Sequence, residues 1–138
     1  MTDNRYHLAN PDEIETTPAR PDIEPKPDPI ADTFSVSDAA NFEILGIRNN
    51  VAEPGEQIPL AYHYHEKQEE AFLVRSGTLH VETPDREYVV ESGEMFLVEG
   101  GNPHRAFVPA DADEPAVVLS FGAPSDDPGQ VYEPDDES

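Results

Sequence analysis

The chain has 138 residues and a formal net charge of −22, because 30 aspartates and glutamates outnumber eight lysines and arginines. A chain of this length forms one domain with a single modest core, and its charge argues against nucleic acid and anionic membranes as partners, since both repel it. Cysteine is absent, which excludes disulfide bonds and thiolate catalysis.

Residues 1–33 are predicted to form an extended arm. They contain six prolines among acidic residues, and proline fixes the backbone and removes an N–H donor, which excludes a helix. The first residues carry no apolar stretch of the kind that a secretion signal needs, and no apolar run approaches the roughly 18 residues of a membrane-spanning helix. We therefore expect a cytoplasmic protein.

Residues 34–122 are predicted to form an all-β domain. Short segments rich in Val, Leu, Phe and Tyr alternate with turn signals such as Ser76-Gly77 and Ser92-Gly93. Helical periodicity is absent except for a weak pattern over Val36–Asn41. Short strands at this spacing indicate an antiparallel sandwich or barrel. The predicted strands are Phe42–Arg48, Leu60–Tyr64, Ala71–Arg75, Thr78–Thr83, Arg86–Val90, Met95–Val98, Arg105–Val108 and Ala116–Phe121.

Residues 123–138 are predicted to be a disordered acidic tail. Nothing basic follows Arg105, and the last 28 residues carry nine aspartates and glutamates. Val131 and Tyr132 are the apolar pair within it that could dock onto the domain.

Three histidines and one glutamate carry the strongest chemical signal. His63 and His65 alternate, so on a β-strand both side chains leave the same face, and Glu70 and His104 follow. Three imidazoles and one carboxylate are enough to hold a divalent transition metal and to leave coordination positions open. A buried cluster of this kind without metal would leave several polar groups unpaired, at a cost of about 1–3 kcal/mol each.

The spacing of these residues resembles the first motif of the cupin family. That motif is a glycine, then H-x-H, three or four residues, Glu, six residues and Gly, and it is met by His63, His65, Glu70 and Gly77. The leading glycine would be Gly55, two residues further upstream than is usual. The entry loop is therefore slightly longer than in the family pattern.

The second cupin motif is met in part. Gly93, Gly101 and His104 fit its register, but Glu99 stands where proline is usual and Val108 where asparagine is. Fifteen residues separate the two motifs, as in compact single-domain cupins, and the resemblance covers about residues 42–122. Valine at position 108 removes a polar side chain near the site. A particular activity of the family is therefore harder to assign to this chain.

The resemblance implies a double-stranded β-helix, or jelly roll, of two antiparallel sheets with a metal in the barrel. The implied metal ligands are His63, His65, Glu70 and His104. Fe(II) or Mn(II) is favoured, and Zn(II) or Ni(II) is the alternative, because imidazole and carboxylate suit all of them and availability decides.

Three functions stay open at this point. The first is a metal-dependent oxygenase or isomerase acting on a small organic molecule, with Glu70 as the candidate base. The second is a non-catalytic module that binds or senses a small molecule at the same metal, and the third is a structural barrel. Apolar side chains assigned to the inner wall favour a small, partly hydrophobic ligand; they are Phe72, Val74, Met95, Leu97 and Phe107.

Other polar residues are weaker candidates. His80 is expected to face outward, since it alternates with Leu79 and Val81, and His7 is expected to be solvated in the arm. Arg105 is either a cation at the rim, able to attract an anionic substrate, or one half of a surface salt bridge. Tyr62, Tyr64 and Tyr88 cannot be assigned to a face. Apolar residues also occupy the alternate strand positions that point away from the barrel interior, including Leu73. They indicate a second face that is buried against another molecule, so we expect a homodimer.

The dispersed acidity predicts a protein that needs salt. Acidic residues run through the middle of the chain as well as its ends, and only two lysines are present. This composition is typical of salt-accumulating halophiles, in which ions screen the repulsion between carboxylates. We expect the fold to loosen at low salt. Thermal melts at low and at molar KCl test this, and equal melting temperatures would contradict it.

Overall fold

A computed structural model describes residue 8, residues 10–11, 17–18 and 32–35, and residues 42–127 and 129–132. Most of the predicted arm, the weak helical pattern over Val36–Asn41, and residues 133–138 of the predicted tail lie outside these residues. Within the described residues the chain contains strands and turns and no α-helix. None of them belongs to a helix that could cross a membrane.

Eleven strands are described, numbered β1 to β11 in chain order. Most are bounded by the turn glycines and prolines that the sequence indicates, because these residues adopt the backbone angles that end a strand. The strands are β1 Thr17–Pro18, β2 Asp32–Ser35, β3 Gly46–Ala52, β4 Gln57–Tyr64, β5 Glu69–Ser76, β6 Thr78–Glu82, β7 Glu87–Glu91, β8 Met95–Val98, β9 His104–Phe107, β10 Ala116–Ala123 and β11 Gln130–Val131.

The strands form two antiparallel sheets. One has the order β1-β2-β3-β10-β5-β8 and the other the order β11-β4-β9-β6-β7. Neighbouring strands are mostly distant in sequence, as β10 between β3 and β5 illustrates. This is the jelly-roll arrangement, in which the chain crosses repeatedly from one sheet to the other, and it confirms the predicted fold class.

The core lies between the two sheets and follows the period-two alternation of each strand. Phe72 and Val74 of β5 are buried, as are Leu79 and Val81 of β6. Val108, which stands in the position of the usual asparagine, is also buried in this apolar core. It lies four residues beyond His104, just after the end of β9.

Three of the predicted wall residues were assigned to the wrong face. Met95 and Leu97 of β8 are 52% and 70% exposed, because the inward positions of this strand belong to Phe96 and Val98. All four residues of β8 are apolar, so alternation in the sequence cannot tell its two faces apart. Phe107 also points away from the core, and its ring contacts His80 and the guanidinium of Arg105.

The predicted disordered tail differs from the structure over its first part. Ala123 completes β10, and β11 adds to the edge of β4, where Gln130 is paired with Tyr64 and Val131 with His63. The ring of Tyr132 lies 4.8 Å from that of Tyr62. Unpaired backbone groups at the edge of β4 offer hydrogen bonds that composition alone does not reveal.

Two strands at the arm, β1 and β2, belong to the six-stranded sheet. Thr17 is paired with Thr33 between β1 and β2, and β2 is paired with β3. The side-chain amide of Asn49 donates a hydrogen bond to the carbonyl of Pro11. These contacts join the chain before residue 36 to the edge of the barrel.

Candidate metal centre

Strand pairing brings two of the predicted ligands side by side. His63 of β4 lies directly opposite His104 of β9, and opposed residues of antiparallel strands have neighbouring side chains on one face of the sheet. Their ring centroids are 4.6 Å apart. Both rings are buried, so the imidazoles meet inside the barrel.

The other two predicted ligands enter from the β4–β5 connection. His65 follows the last residue of β4, and its ring stands edge-on to that of His63 with centroids 5.1 Å apart. Glu70 is the second residue of β5 and reaches between the histidines. Its Oε1 lies 2.9 Å from Nε2 of His104 and 3.9 Å from Nε2 of His65.

Three of the four candidate ligands lie close together, and the fourth lies beside them. The ligand atoms of His63, Glu70 and His104 all lie within 4.8 Å of one another. His65 lies at the edge of this trio. Neighbouring and opposite ligands of a six-coordinate ion with bonds of about 2.1 Å are about 3 and 4.2 Å apart, so the trio needs only a small contraction to surround one ion.

Backbone carbonyls orient two of the rings. Nδ1 of His104 lies 3.1 Å from the carbonyl oxygen of Asn102, and Nδ1 of His65 lies 2.8 Å from that of Asp127. A carbonyl can only accept, so each Nδ1 carries a proton and donates it. In the neutral rings Nε2 is then the unprotonated atom, which is the form that a metal ion requires.

The contact between His104 and Glu70 requires a positive charge. Nε2 of His104 is buried and has no hydrogen-bond partner, although Oε1 of Glu70 is 2.9 Å away. In the neutral ring both atoms present lone pairs, so the contact is repulsive unless a second ring proton or a metal ion lies between them. Two atoms at this distance, each about 2.1 Å from one ion, subtend roughly 90°, the angle of adjacent octahedral positions. The donor set therefore fits a transition metal.

Glu70 is held in its charged form. Burial of its carboxyl raises the pKa, but the close contact with His104 and the charges of His104, His65 and His63 outweigh burial. The net result is a pKa below the usual value for a glutamate. The carboxylate is therefore available at neutral pH as a ligand or as a proton acceptor.

Loop contacts fix the relative positions of the two motifs. The N–H of Gly101 donates a hydrogen bond to the carbonyl of His65 at 2.6 Å. At the neighbouring Gly100, a Cβ atom would lie 3.0 Å from backbone atoms of Glu66 and Lys67. The glycine at 100 thus permits a close approach of the β8–β9 loop to the loop that carries His65. Glu99 is exposed in the same loop.

Apolar and aromatic side chains surround the centre on one side. The ring of Phe72 meets that of His104 edge-on, with centroids 5.9 Å apart. Tyr88 is paired with the buried Val81 and packs against the inward Phe96, with rings 5.0 Å apart. Of the three tyrosines that the sequence left unassigned, Tyr88 is the one that packs against the core. Tyr62 contacts Tyr132, and burial together with the charge of Glu82 raises its pKa to about 12.

Two of the weaker candidates lie outside the centre. Nδ1 of His80 is 2.7 Å from Oε2 of Glu87, on the outward side that the sequence predicts. Arg105 forms a salt bridge with Glu82 at 2.8 Å and stacks on Phe107. The salt-bridge interpretation of Arg105 is therefore the one that the structure supports. His7 lies outside the described residues.

Two contributors to the site were missed in the sequence. Asn102 and Asp127 act on the rings through main-chain carbonyl oxygens. Every residue has a carbonyl, so these roles leave no signal in residue type. Asp127 belongs to the acidic tail, where composition indicates disorder.

Comparison with solved structures finds the same fold. Polyketide cyclase RemF from Streptomyces resistomycificus has a TM-score of 0.75 at 15% identity, covering 93% of this chain and 87% of that one. An uncharacterised protein with a double-stranded β-helix domain from Klebsiella pneumoniae has a TM-score of 0.69 at 19% identity, covering 94% and 99%. These two likenesses show a shared fold.

A sugar phosphate isomerase of the cupin superfamily from Silicibacter pomeroyi has a TM-score of 0.60 at 26% identity, covering 67% of this chain and 59% of that one. This chain therefore spans less than two thirds of the isomerase.

No curated protein matches the sequence. Residues 51–122, just over half of the chain, match the model of the Cupin_2 family, described as the cupin domain. Together with the jelly-roll fold, this match shows that the chain belongs to the cupin family.

Proposed function

We propose that His63, His65, Glu70 and His104 hold one divalent transition metal ion. The observation that carries this proposal is the buried Nε2 of His104, which faces Glu70 at 2.9 Å without a hydrogen bond. An ion between the two groups would supply the positive charge that this contact requires and would bind both of them. Fe(II) or Mn(II) is favoured, followed by Zn(II) or Ni(II), because all accept imidazole and carboxylate ligands.

The proposed activity is isomerisation of a small organic molecule. When bound, a metal with open positions supplies polarisation of a substrate carbonyl or hydroxyl oxygen. The Glu70 carboxylate, with an oxygen that is free of the ion, can take a proton from the hydroxyl-bearing carbon beside that carbonyl and return it to the former carbonyl carbon. The proton of the hydroxyl group passes to the carbonyl oxygen in the same isomerisation, so the two oxygens exchange roles. Similarity at 26% identity to a sugar phosphate isomerase favours this proton transfer over oxygenation.

The substrate proposed here is anionic, and Arg48 is the residue that would recognise its charge. Arg48 is paired with Ser120, which is paired in turn with the inward Phe72. Opposed residues of paired strands point to the same face of the sheet. Arg48 is therefore on the face of β3 that corresponds to the face of Phe72 on β5. Its side chain is exposed, and no salt bridge of Arg48 occurs among the described residues. Arg105 is committed to Glu82.

Uptake of deuterium from solvent tests the proposed reaction. The protein is purified in molar salt without chelator or nickel resin, its metal content is measured, and small hydroxyketones with and without a phosphate or carboxylate group are incubated with it in D₂O. We expect about one metal ion per chain and exchange at the carbon beside the carbonyl, because a carboxylate base exchanges its proton with solvent.

Two variants sharpen this test. Glu70→Gln, loaded to the same metal content, should lose the exchange, and Arg48→Met should raise KM for the anionic compounds while leaving the neutral ones unchanged. Metal-loaded protein that exchanges none of these compounds would contradict the isomerase and leave the binding alternative. Protein without metal, even after anaerobic reconstitution, would contradict the metal site.

The alternative function is a binding or sensing module that uses the same metal without turnover. The apolar character of the described inward side chains around the centre favours it, since Phe72, Phe96 and Val98 cannot transfer protons. Besides the three histidines, Glu70 is the described titratable group in contact with the candidate ligands, and Tyr88 packs against Phe96. Exchange of substrate hydrogen therefore distinguishes the two functions directly.

We also propose a cytoplasmic homodimer. Met95 and Leu97 expose apolar surface on the edge strand β8, and Leu73 is paired with Met95 on the neighbouring strand. Exposed apolar side chains on one sheet face are typical of contact surfaces between subunits. A second copy of this chain would remove them from water.

A further inference from the structure

The chain continues past the end of the cupin match at residue 122 and returns to the candidate metal centre. β11 lies against β4, the strand that carries His63, and Val131 is paired with His63 itself. The N–H of Tyr132 donates a hydrogen bond to the carbonyl of Tyr62. Residue 127 and residues 129–132, which we name the C-terminal strap, thus contact His65 and lie beside β4, the strand that carries His63.

Asp127 joins the strap to His65 through two different groups. Its Oδ2 accepts hydrogen bonds from the backbone N–H groups of Lys67 and Gln68 at 2.7 and 2.8 Å. Its main-chain carbonyl accepts the Nδ1 proton of His65 at 2.8 Å. The carboxylate therefore fixes the position of the carbonyl, and the carbonyl fixes the ring. The two N–H donors also hold the pKa of Asp127 below its usual value.

Neighbouring contacts support the same arrangement. The buried side chain of Gln68 donates a hydrogen bond from Nε2 to the carbonyl of Pro124 at 2.9 Å. It lies against Gly122, where a Cβ atom would meet the amide oxygen at 2.7 Å. The start of the strap is therefore held on both sides of Asp127, by Gln68 and by the pairing of β11.

We propose that Asp127 is a positioning residue of the metal centre, which acts by holding the ring of His65 with Nε2 directed at the ion. This inference rests on the proposed metal site and adds to it a residue outside the cupin match. His65 is the candidate ligand at the edge of the trio, so its contribution depends most on external support. Carbonyl partners of this kind change metal affinity by about 10- to 100-fold when they are lost.

Metal binding should in turn hold the strap in place. If the docked strap raises affinity for the ion by a given factor, the ion stabilises the docked strap by the same factor. The N–H groups of Lys67 and Gln68 report on docking, because the Asp127 carboxylate protects both from solvent exchange.

The test uses the full chain with cobalt(II), whose d–d absorption reports ligand number. Cobalt affinity of the wild type, measured by competition with a chromophoric chelator, is compared with Asp127→Ala and with the control Asp126→Ala, which removes an exposed neighbouring carboxylate. We expect Asp127→Ala to bind cobalt about 10- to 100-fold more weakly and to show an altered d–d spectrum. Asp126→Ala should match the wild type, and Asp127→Asn, which retains an acceptor oxygen, should recover most of the affinity.

A double-mutant cycle separates positioning from general destabilisation. In a His65→Ala background, Asp127→Ala should cause no further loss of affinity, because the ring on which it acts is gone. An equal loss in both backgrounds would overturn the proposal, and so would unchanged affinity in Asp127→Ala alone. A wild type that binds no cobalt would instead overturn the metal site itself.

Hydrogen exchange on the wild type keeps the proposal testable if Asp127→Ala does not fold. Addition of cobalt should slow exchange of the Lys67 and Gln68 amides by about tenfold or more, the factor expected from the reciprocal effect. Exchange that is unchanged in cobalt-loaded protein would overturn the coupling between strap and ion.

Discussion

Replacement of His104 by alanine should remove metal binding. The imidazole supplies the buried Nε2 that faces Glu70 at 2.9 Å, and its Nδ1 is already satisfied by the carbonyl of Asn102. Without this ring the ion would lose a ligand from the tight trio. We expect an affinity lower by more than about 100-fold, since loss of an outer-shell partner alone costs about 10- to 100-fold. Metal content after purification in molar salt, and manganese titration of the stripped protein, measure the change.

His80→Ala is the matched control for this prediction. His80 lies on the outward side of β6 and contacts Glu87 and Phe107. Its loss removes an imidazole of the same chain without touching the centre, so metal content should equal that of the wild type. Retention of metal by His104→Ala, or an equal loss in both variants, would contradict the assignment of the centre.

Replacement of Gly77 by alanine should destabilise the fold by roughly 2–5 kcal/mol. Gly77 turns the chain between β5 and β6 with φ +77°, and a Cβ atom there would overlap the carbonyl oxygen of Pro115 and lie 2.9 Å from Cα of Ala116. Left-handed backbone costs a side-chain-bearing residue about 1–2 kcal/mol, and overpacking adds about 1–3 kcal/mol. Both contacts are with backbone, so no side chain can rotate away. Urea denaturation in molar salt measures the loss.

Gly93→Ala separates the two costs. Gly93 has φ +90°, and a Cβ atom at this position would meet nothing within 4 Å. Its replacement should cost only the backbone strain, about 1–2 kcal/mol. If the two variants lose the same stability, the close approach of Pro115 does not contribute, and the packing of the β5–β6 turn against the chain before β10 would need another explanation.

The sequence predicted more of the candidate site than of the groups that surround it. The spacing of His63 and His65 follows the period of two of a strand, and Glu70 and His104 lie at the offsets of the two cupin motifs. The structure places the three histidines close to the carboxylate of Glu70. Their metal binding stays a proposal that the His104 experiment tests.

The predicted side-chain orientation was wrong on β8, where the sequence does not distinguish the two faces of the strand. All four residues of β8 are apolar, so the choice of Phe96 and Val98 as inward residues depends on pairing with β5. Pairing between strands distant in sequence is decided by the whole sheet. Met95 and Leu97 were therefore assigned to the wall on hydrophobicity alone, although they face outward.

The sequence by itself determined the all-β class, because turn glycines and strand alternation are local properties of the chain. Its resemblance to the cupin motifs implied the jelly roll and the four candidate ligands. Tertiary structure alone decided what supports those ligands. The carbonyls of Asn102 and Asp127 orient two rings, and β11 docks beside His63. Backbone groups are the same in every residue, so only the folded chain can determine which of them meet a side chain.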